Sequence, residues 1–174
     1  KIAVRVRPSY VEAVNNLGNT LKSQNKLEDA LAAYNKALII RPKFAHGYNN
    51  LGSILKELGR FKEAIEAFKK TLSIDSNYAE AYNNLGTVLQ ENGTFKEAIE
   101  AYKTALSLKP NYAEAYNNMG ITLQEQGLVD EALKTFNKAL SIRPDYAEAN
   151  YNIVNCLNGE EAIHAYNKAL SLRP

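Results

Sequence analysis

Asparagine recurs at Asn16, Asn50, Asn84, Asn118 and Asn152, once every 34 residues, and a second series stands beside it at Asn15, Asn49, Asn83 and Asn117. A carboxamide carries both a donor and an acceptor, so an exposed column of them matches the N–H and C=O groups of an extended peptide backbone. Asparagine is a mediocre helix former, and propensity therefore does not account for its repetition. Two readings of the columns stay open. They form a ladder that holds a peptide, or they make a local structural hydrogen bond that repeats with the fold. Asn19, Ser53, Thr87 and Ile121 continue the same face.

The other reactive side chains do not assemble into a site. His46 and His164 have no second His or Cys at ligand spacing, so no metal site is expected. His164 aligns with Ala32, Glu66, Glu100 and Lys134, a polar outer position, and both histidines read as solvated. Cys156 is the single cysteine, which excludes an intramolecular disulfide; it reads as a small buried apolar residue. No Ser-His-Asp set, P-loop or dinucleotide fingerprint is present, and neither catalytic residues nor a cofactor are expected.

The formal net charge is +2, with lysine and arginine dispersed rather than gathered, so nucleic acid is not an expected partner. No apolar run approaches the roughly 18 residues of a membrane span, and residues 1–8 hold no signal-peptide core. A soluble, cytoplasmic chain with no membrane contact is expected. A hydrophobic fraction of 45% and a charged fraction of 23% are those of a folded protein.

The elements that must position the asparagines follow from the period. Tyr10, Phe44, Tyr78, Tyr112 and Tyr146 mark boundaries 34 residues apart, which divides residues 1–174 into one repeat array. Residues 1–8 close a preceding repeat; 9–42, 43–76, 77–110 and 111–144 are full repeats; 145–174 is shortened and irregular, with four residues fewer between Leu157 and Ala162 than between Leu123 and Ala132.

Within 77–110, Tyr82, Leu85, Gly86 and Leu89 fall on one face of a first helix, and Phe95, Ala98, Ile99, Tyr102, Ala105, Leu106 and Leu108 on one face of a second. Asn77 with Glu80 and Thr94 with Glu97 have capping-box spacing. Asn92-Gly93 supplies the turn, a task Asn25 performs in the first repeat, and Pro110 ends the second helix. Leu17, Leu51, Leu85, Met119 and Ile153 are expected to be buried, and the asparagines exposed, so that alanine in place of Asn84 and Asn118 would leave stability nearly unchanged.

Tyr82, Leu85, Gly86, Leu89, Ala98, Tyr102, Ala105 and Pro110 resemble the tetratricopeptide pattern over nearly the whole chain. The resemblance implies an all-α fold, a right-handed superhelical solenoid of antiparallel helix pairs with about five 34-residue repeats. It implies that the polar faces of the first helices line a groove. The asparagine column in its Asn-Leu-Gly context further resembles the repeat region of O-linked N-acetylglucosamine transferases and their bacterial relatives, where such a ladder holds substrate peptides. A carboxylate clamp for chaperone tails fits less well: Asn19 and Asn50 match, but Asn15, Glu80 and Asn84 stand where basic groups are required.

The expected function is a non-catalytic scaffold that binds an extended peptide segment, neutral to basic because Glu80, Glu114 and Glu148 lie along one edge. Two alternatives are the substrate-recruiting arm of a larger glycosyltransferase and a module that self-associates through uncapped ends, with Val4, Leu170 and Leu172 partly exposed or covered by another copy.

Overall fold

The structure is a computed structural model and describes residues 8–157. Among the described residues it contains nine helices and no strand: α1 (Pro8–Ser23), α2 (Leu27–Ile40), α3 (Ala45–Glu57), α4 (Phe61–Ile74), α5 (Ala79–Glu91), α6 (Phe95–Leu108), α7 (Ala113–Glu125), α8 (Val129–Ile142) and α9 (Ala147–Cys156). They divide into two compact units between Val88 and Leu89, within α5.

In the first unit α1 packs on α2 and α3 on α4, while α3 also packs on α2 and touches α1. Size matching holds each pair together. A methyl group at Gly18 would lie 2.5 Å from the Tyr34 ring and one at Gly52 2.7 Å from the Phe68 ring, so only glycine lets the helices approach this closely. Tyr34 and Phe68, with Ala30, Ala37 and Ala64, are almost completely buried. Each such ring contributes about 1.5–3 kcal/mol through removal from water.

In the second unit α7 packs on α6, α8 and α9, and α8 on α9. Gly120 lies against Phe136 as Gly52 does against Phe68. Ile99, Leu123, Ala132 and Phe136 form one cluster, joined by Met119, Ile153 and Cys156, and Ala113, Ala139, Tyr146 and Ala149 form another. α9 has 10 residues where α7 has 13, so the first helix of the fifth repeat is shorter by about one turn. Gly159, His164 and the rest of that repeat, like Val4, lie outside the described residues.

The turns follow the sequence. Asn25, Gly59, Gly93 and Gly127 all take positive φ, 57° for Asn25 and 70° to 78° for the glycines. Thr94 N–H donates to the Leu89 carbonyl and Gly93 N–H to that of Gln90, the paired bonds of a Schellman closure; the Asn25, Gly59 and Gly127 turns repeat them.

Two expectations require correction. The capping box at Thr94 and Glu97 does not form: Thr94 Oγ1 donates to the Leu89 carbonyl, and no side-chain cap closes α2, α3, α4, α6, α7, α8 or α9. The proposed start at Asn77 is likewise two residues early, because α5 begins at Ala79. Tyr112 and Tyr146 occupy the cap positions of α7 and α9, and the stabilising groups are first-turn acids such as Glu97, Glu114 and Glu148, which favour the positive end of the helix dipole.

The leucine column is also uneven. Leu85 is buried, but Leu51, Met119 and Ile153 are half-buried and Leu17 is 53% exposed. This position faces the preceding repeat, as Met119 does in joining the cluster that contains Ile99.

Candidate functional site

The asparagines at the two neighbouring positions play different parts. Asn15, Asn49, Asn83 and Asn117 are buried, with exposures of 6%, 9%, 7% and 2%, which corrects the expectation that they face a ligand. The next column is more open: Asn16 is exposed, and Asn50, Asn84, Asn118 and Asn152 are half-buried. The columns are joined between repeats. In the first unit Asn50 Nδ2 donates to Asn15 Oδ1 at 3.1 Å and Asn84 Nδ2 to Asn49 Oδ1 at 3.1 Å. In the second, Asn152 Nδ2 donates to Asn117 Oδ1 at 2.9 Å.

These bonds use one end of each outer carboxamide. Asn50, Asn84 and Asn152 donate through Nδ2, and among the described residues their Oδ1 atoms accept no bond. A carboxamide oxygen has two lone pairs, so each remains able to take an N–H from outside, in an orientation fixed by the bond its nitrogen makes. Asn50 is the most constrained, because its Nδ2 also reaches Asn19 Oδ1 at 3.2 Å. Asn19 is in turn held by the Tyr34 hydroxyl, which donates to it at 2.7 Å. That hydroxyl ties the asparagine face to the packed interior, and burial raises the Tyr34 pKa above its ordinary value. Thr87 Oγ1 donates to the Asn83 carbonyl one turn earlier.

Within each unit a repeat-end arginine is paired. Arg41 pairs with Glu12 at 3.2 Å and lies 5.0 Å from the Phe44 ring centroid; Arg143 pairs with Glu114 at 2.7 Å and lies 3.7 Å from that of Tyr146. A cation at the end of a repeat is thus held between the acid at its beginning and the next boundary aromatic. Opposite charges 29 residues apart, with an aromatic three residues after the cation, were the sequence signal for this arrangement. Of the edge acids, Glu114 is therefore committed. Glu148 stands beside Tyr146: burial first, then the Glu148 charge, pushes the Tyr146 pKa up to about 12.

Asn117, Ile121, Ala147, Glu148, Tyr151 and Asn152 line a cavity of about 330 Å³ on this face. Tyr151 is 62% exposed, and the sequence reading had not singled it out. Larger clefts lie elsewhere, beside Leu51 and Ile65 in the first unit and beside Ile99 and Met119 in the second, and they contain none of the asparagines. His46 is exposed but packs against the Phe44 and Tyr78 rings at 6.2 and 5.1 Å. Cys156 is half-buried against the Phe136 cluster, and burial pushes its thiol pKa up, away from reactivity. Among the described residues no helix is long and apolar enough to cross a membrane.

A family model described as tetratricopeptide repeat matches residues 44–111 and 77–145, another of the same description matches 117–174, and one described as TPR repeat matches 18–59. Among solved structures, a crystal structure of MamA is 30% identical, covering 89% of this chain and 93% of that one, with a TM-score of 0.79. YrrB, described as a TPR protein with an unusual peptide-binding site, is 33% identical over 92% of this chain and 85% of its own, with a TM-score of 0.71. PilF of Pseudomonas aeruginosa, at 24% identity, 97% and 78% coverage and a TM-score of 0.87, shares the fold. No curated protein matches the sequence.

Proposed function

The chain belongs to the tetratricopeptide repeat family, and on that premise we propose that it is a non-catalytic interaction scaffold whose asparagine face binds an extended peptide through its backbone. The observation that carries this reading is the free Oδ1 of Asn50, Asn84 and Asn152, each oriented by a bond from its own nitrogen to the preceding repeat. The peptide-binding site named for YrrB supports it. Neighbouring first helices about 10 Å apart would place one carboxamide for every three residues of a peptide that advances about 3.3 Å per residue.

Each neutral hydrogen bond contributes only about 0.5–1.5 kcal/mol net, which puts binding in the micromolar range and makes it tolerant of sequence. The test is fluorescence anisotropy with a labelled peptide selected from a random twelve-residue library, against the chain and an Asn50→Ala, Asn84→Ala double variant, well below both melting points. About tenfold weaker binding by the variant is expected from two lost bonds. Equal affinity would place binding elsewhere.

The asparagine column favours one second reading, the substrate-recruiting arm of a glycosyltransferase, in which the same face would present peptides to a catalytic domain. A full-length reading frame that encodes no such domain would end it.

A further inference from the structure

Two columns depart from the repeat pattern at one place in the second unit, and both meet a carboxylate in the 330 Å³ cavity. Where the first four repeats carry the buried Asn15, Asn49, Asn83 and Asn117, the fifth carries the exposed Tyr151. Where Asn19, Ser53 and Thr87 are polar, α7 carries Ile121. Glu148 stands at the position of Glu12 and Glu114, which are neutralised by Arg41 and Arg143, and among the described residues it has no ion pair. The cavity therefore combines a carboxylate, an open aromatic ring and an apolar wall.

We propose that this cavity is a subsite for an arginine side chain of a partner polypeptide. A guanidinium is planar and weakly hydrated, so it stacks on a tyrosine face and takes a carboxylate through two parallel N–H bonds. The methylene stem needs apolar cover while the head stays polar, which Ile121 and Ala147 supply beside Tyr151. The nearby Arg143 is not available to Glu148, because it is held by Glu114 at 2.7 Å and stacks on the Tyr146 ring. Asn152, fixed by Asn117 at 2.9 Å, keeps its Oδ1 free beside the same cavity. The subsite would then add side-chain selection to a face that otherwise reads backbone.

This inference rests on the peptide-binding reading for the source of the arginine, so the test uses a free amino-acid derivative that needs no ladder. The full chain, labelled with nitrogen-15, is titrated with Nα-acetyl-arginine amide and with the uncharged isostere Nα-acetyl-citrulline amide while amide shifts are followed. Saturable shifts confined to α7 and α9 around residues 117–121 and 147–152 are expected, with citrulline, and arginine on Glu148→Gln, binding about five- to tenfold more weakly, the loss expected for one charge-assisted contact. Tyr151→Asn, which restores the pattern of the other repeats, is expected to weaken arginine binding alike. Equal shifts from both ligands, scattered shifts, or none at about 10 mM, well above a millimolar dissociation constant, would overturn the subsite. Backbone binding of a longer neutral peptide would be unaffected by that failure.

Discussion

Replacing Asn84 with alanine removes the donor of the rung at 3.1 Å and leaves Asn49 Oδ1, in a residue only 9% exposed, without a partner. An orphaned buried acceptor costs about 1–3 kcal/mol, and the better helix propensity of alanine returns up to about 0.7 kcal/mol, for a net loss of about 1–2 kcal/mol. Replacing Asn49 instead frees the Asn84 amide, which is half-buried and reaches water, so that variant should lose no more than about 1 kcal/mol. The double variant orphans neither group. Its loss should fall short of the sum of the single losses by about 1 kcal/mol. Urea unfolding followed by far-ultraviolet circular dichroism, fitted with repeat and interface terms, measures this cycle. The Asn84→Ala midpoint should fall by roughly 2–4 °C per kcal/mol in thermal melts of a chain this size. A coupling below about 0.3 kcal/mol, the usual additivity error, would refute a structural ladder.

Other predictions follow from the packing. Gly52→Ala drives a methyl into the buried Phe68 ring, 2.7 Å away, and should cost about 1–3 kcal/mol in chemical unfolding. Leu85→Ala should cost about 2–5 kcal/mol, as for other core deletions, while Leu17→Ala, at a site 53% exposed, should cost under about 0.5 kcal/mol; similar losses would mean the burial is misassigned. Burial raises the pKa of Tyr34, Tyr78 and Tyr146, the last to about 12, above the unfolded value near 10. The unfolded chain releases these protons first, so stability is full below about pH 10 and falls as pH climbs toward 12. Tyr146→Phe should flatten that decline in melts against pH, and an unchanged slope would contradict it.

The period, the two helices of each repeat and the left-handed turn at Asn25 were legible because they depend on contacts within a helix or one tight turn. Gly18, Gly52 and Gly120 against Tyr34, Phe68 and Phe136 were legible for the same reason, a small residue matched to a large one inside a pair. The division of labour between Asn49 and Asn50 was not. Adjacent helical residues point about 100° apart, and which of the two turns toward the next repeat depends on how pairs stack, which hydrophobic periodicity within one helix does not encode. Leu17 misled for a related reason, since burial at this position depends on packing between repeats, as Met119 against the Ile99 cluster shows, and not on its own helix pair. The Thr94 capping box failed because the threonine hydroxyl donates to the Leu89 carbonyl, and at the repeat boundaries aromatics such as Tyr112 and Tyr146, packed against Lys109 and Arg143, take the cap positions.

The central claim is that the outer asparagines read peptide backbone. It is tested most directly by calorimetric titration of a library-selected twelve-residue peptide against the same peptide carrying N-methyl groups at every third residue, in each of the three possible registers. Methylation removes the N–H groups that the Asn50 and Asn84 Oδ1 atoms of the first unit would accept and leaves every side chain in place. In one register binding should weaken by about tenfold, the loss of two hydrogen bonds, with little change in the other two. Unchanged affinity in all three registers would contradict the account.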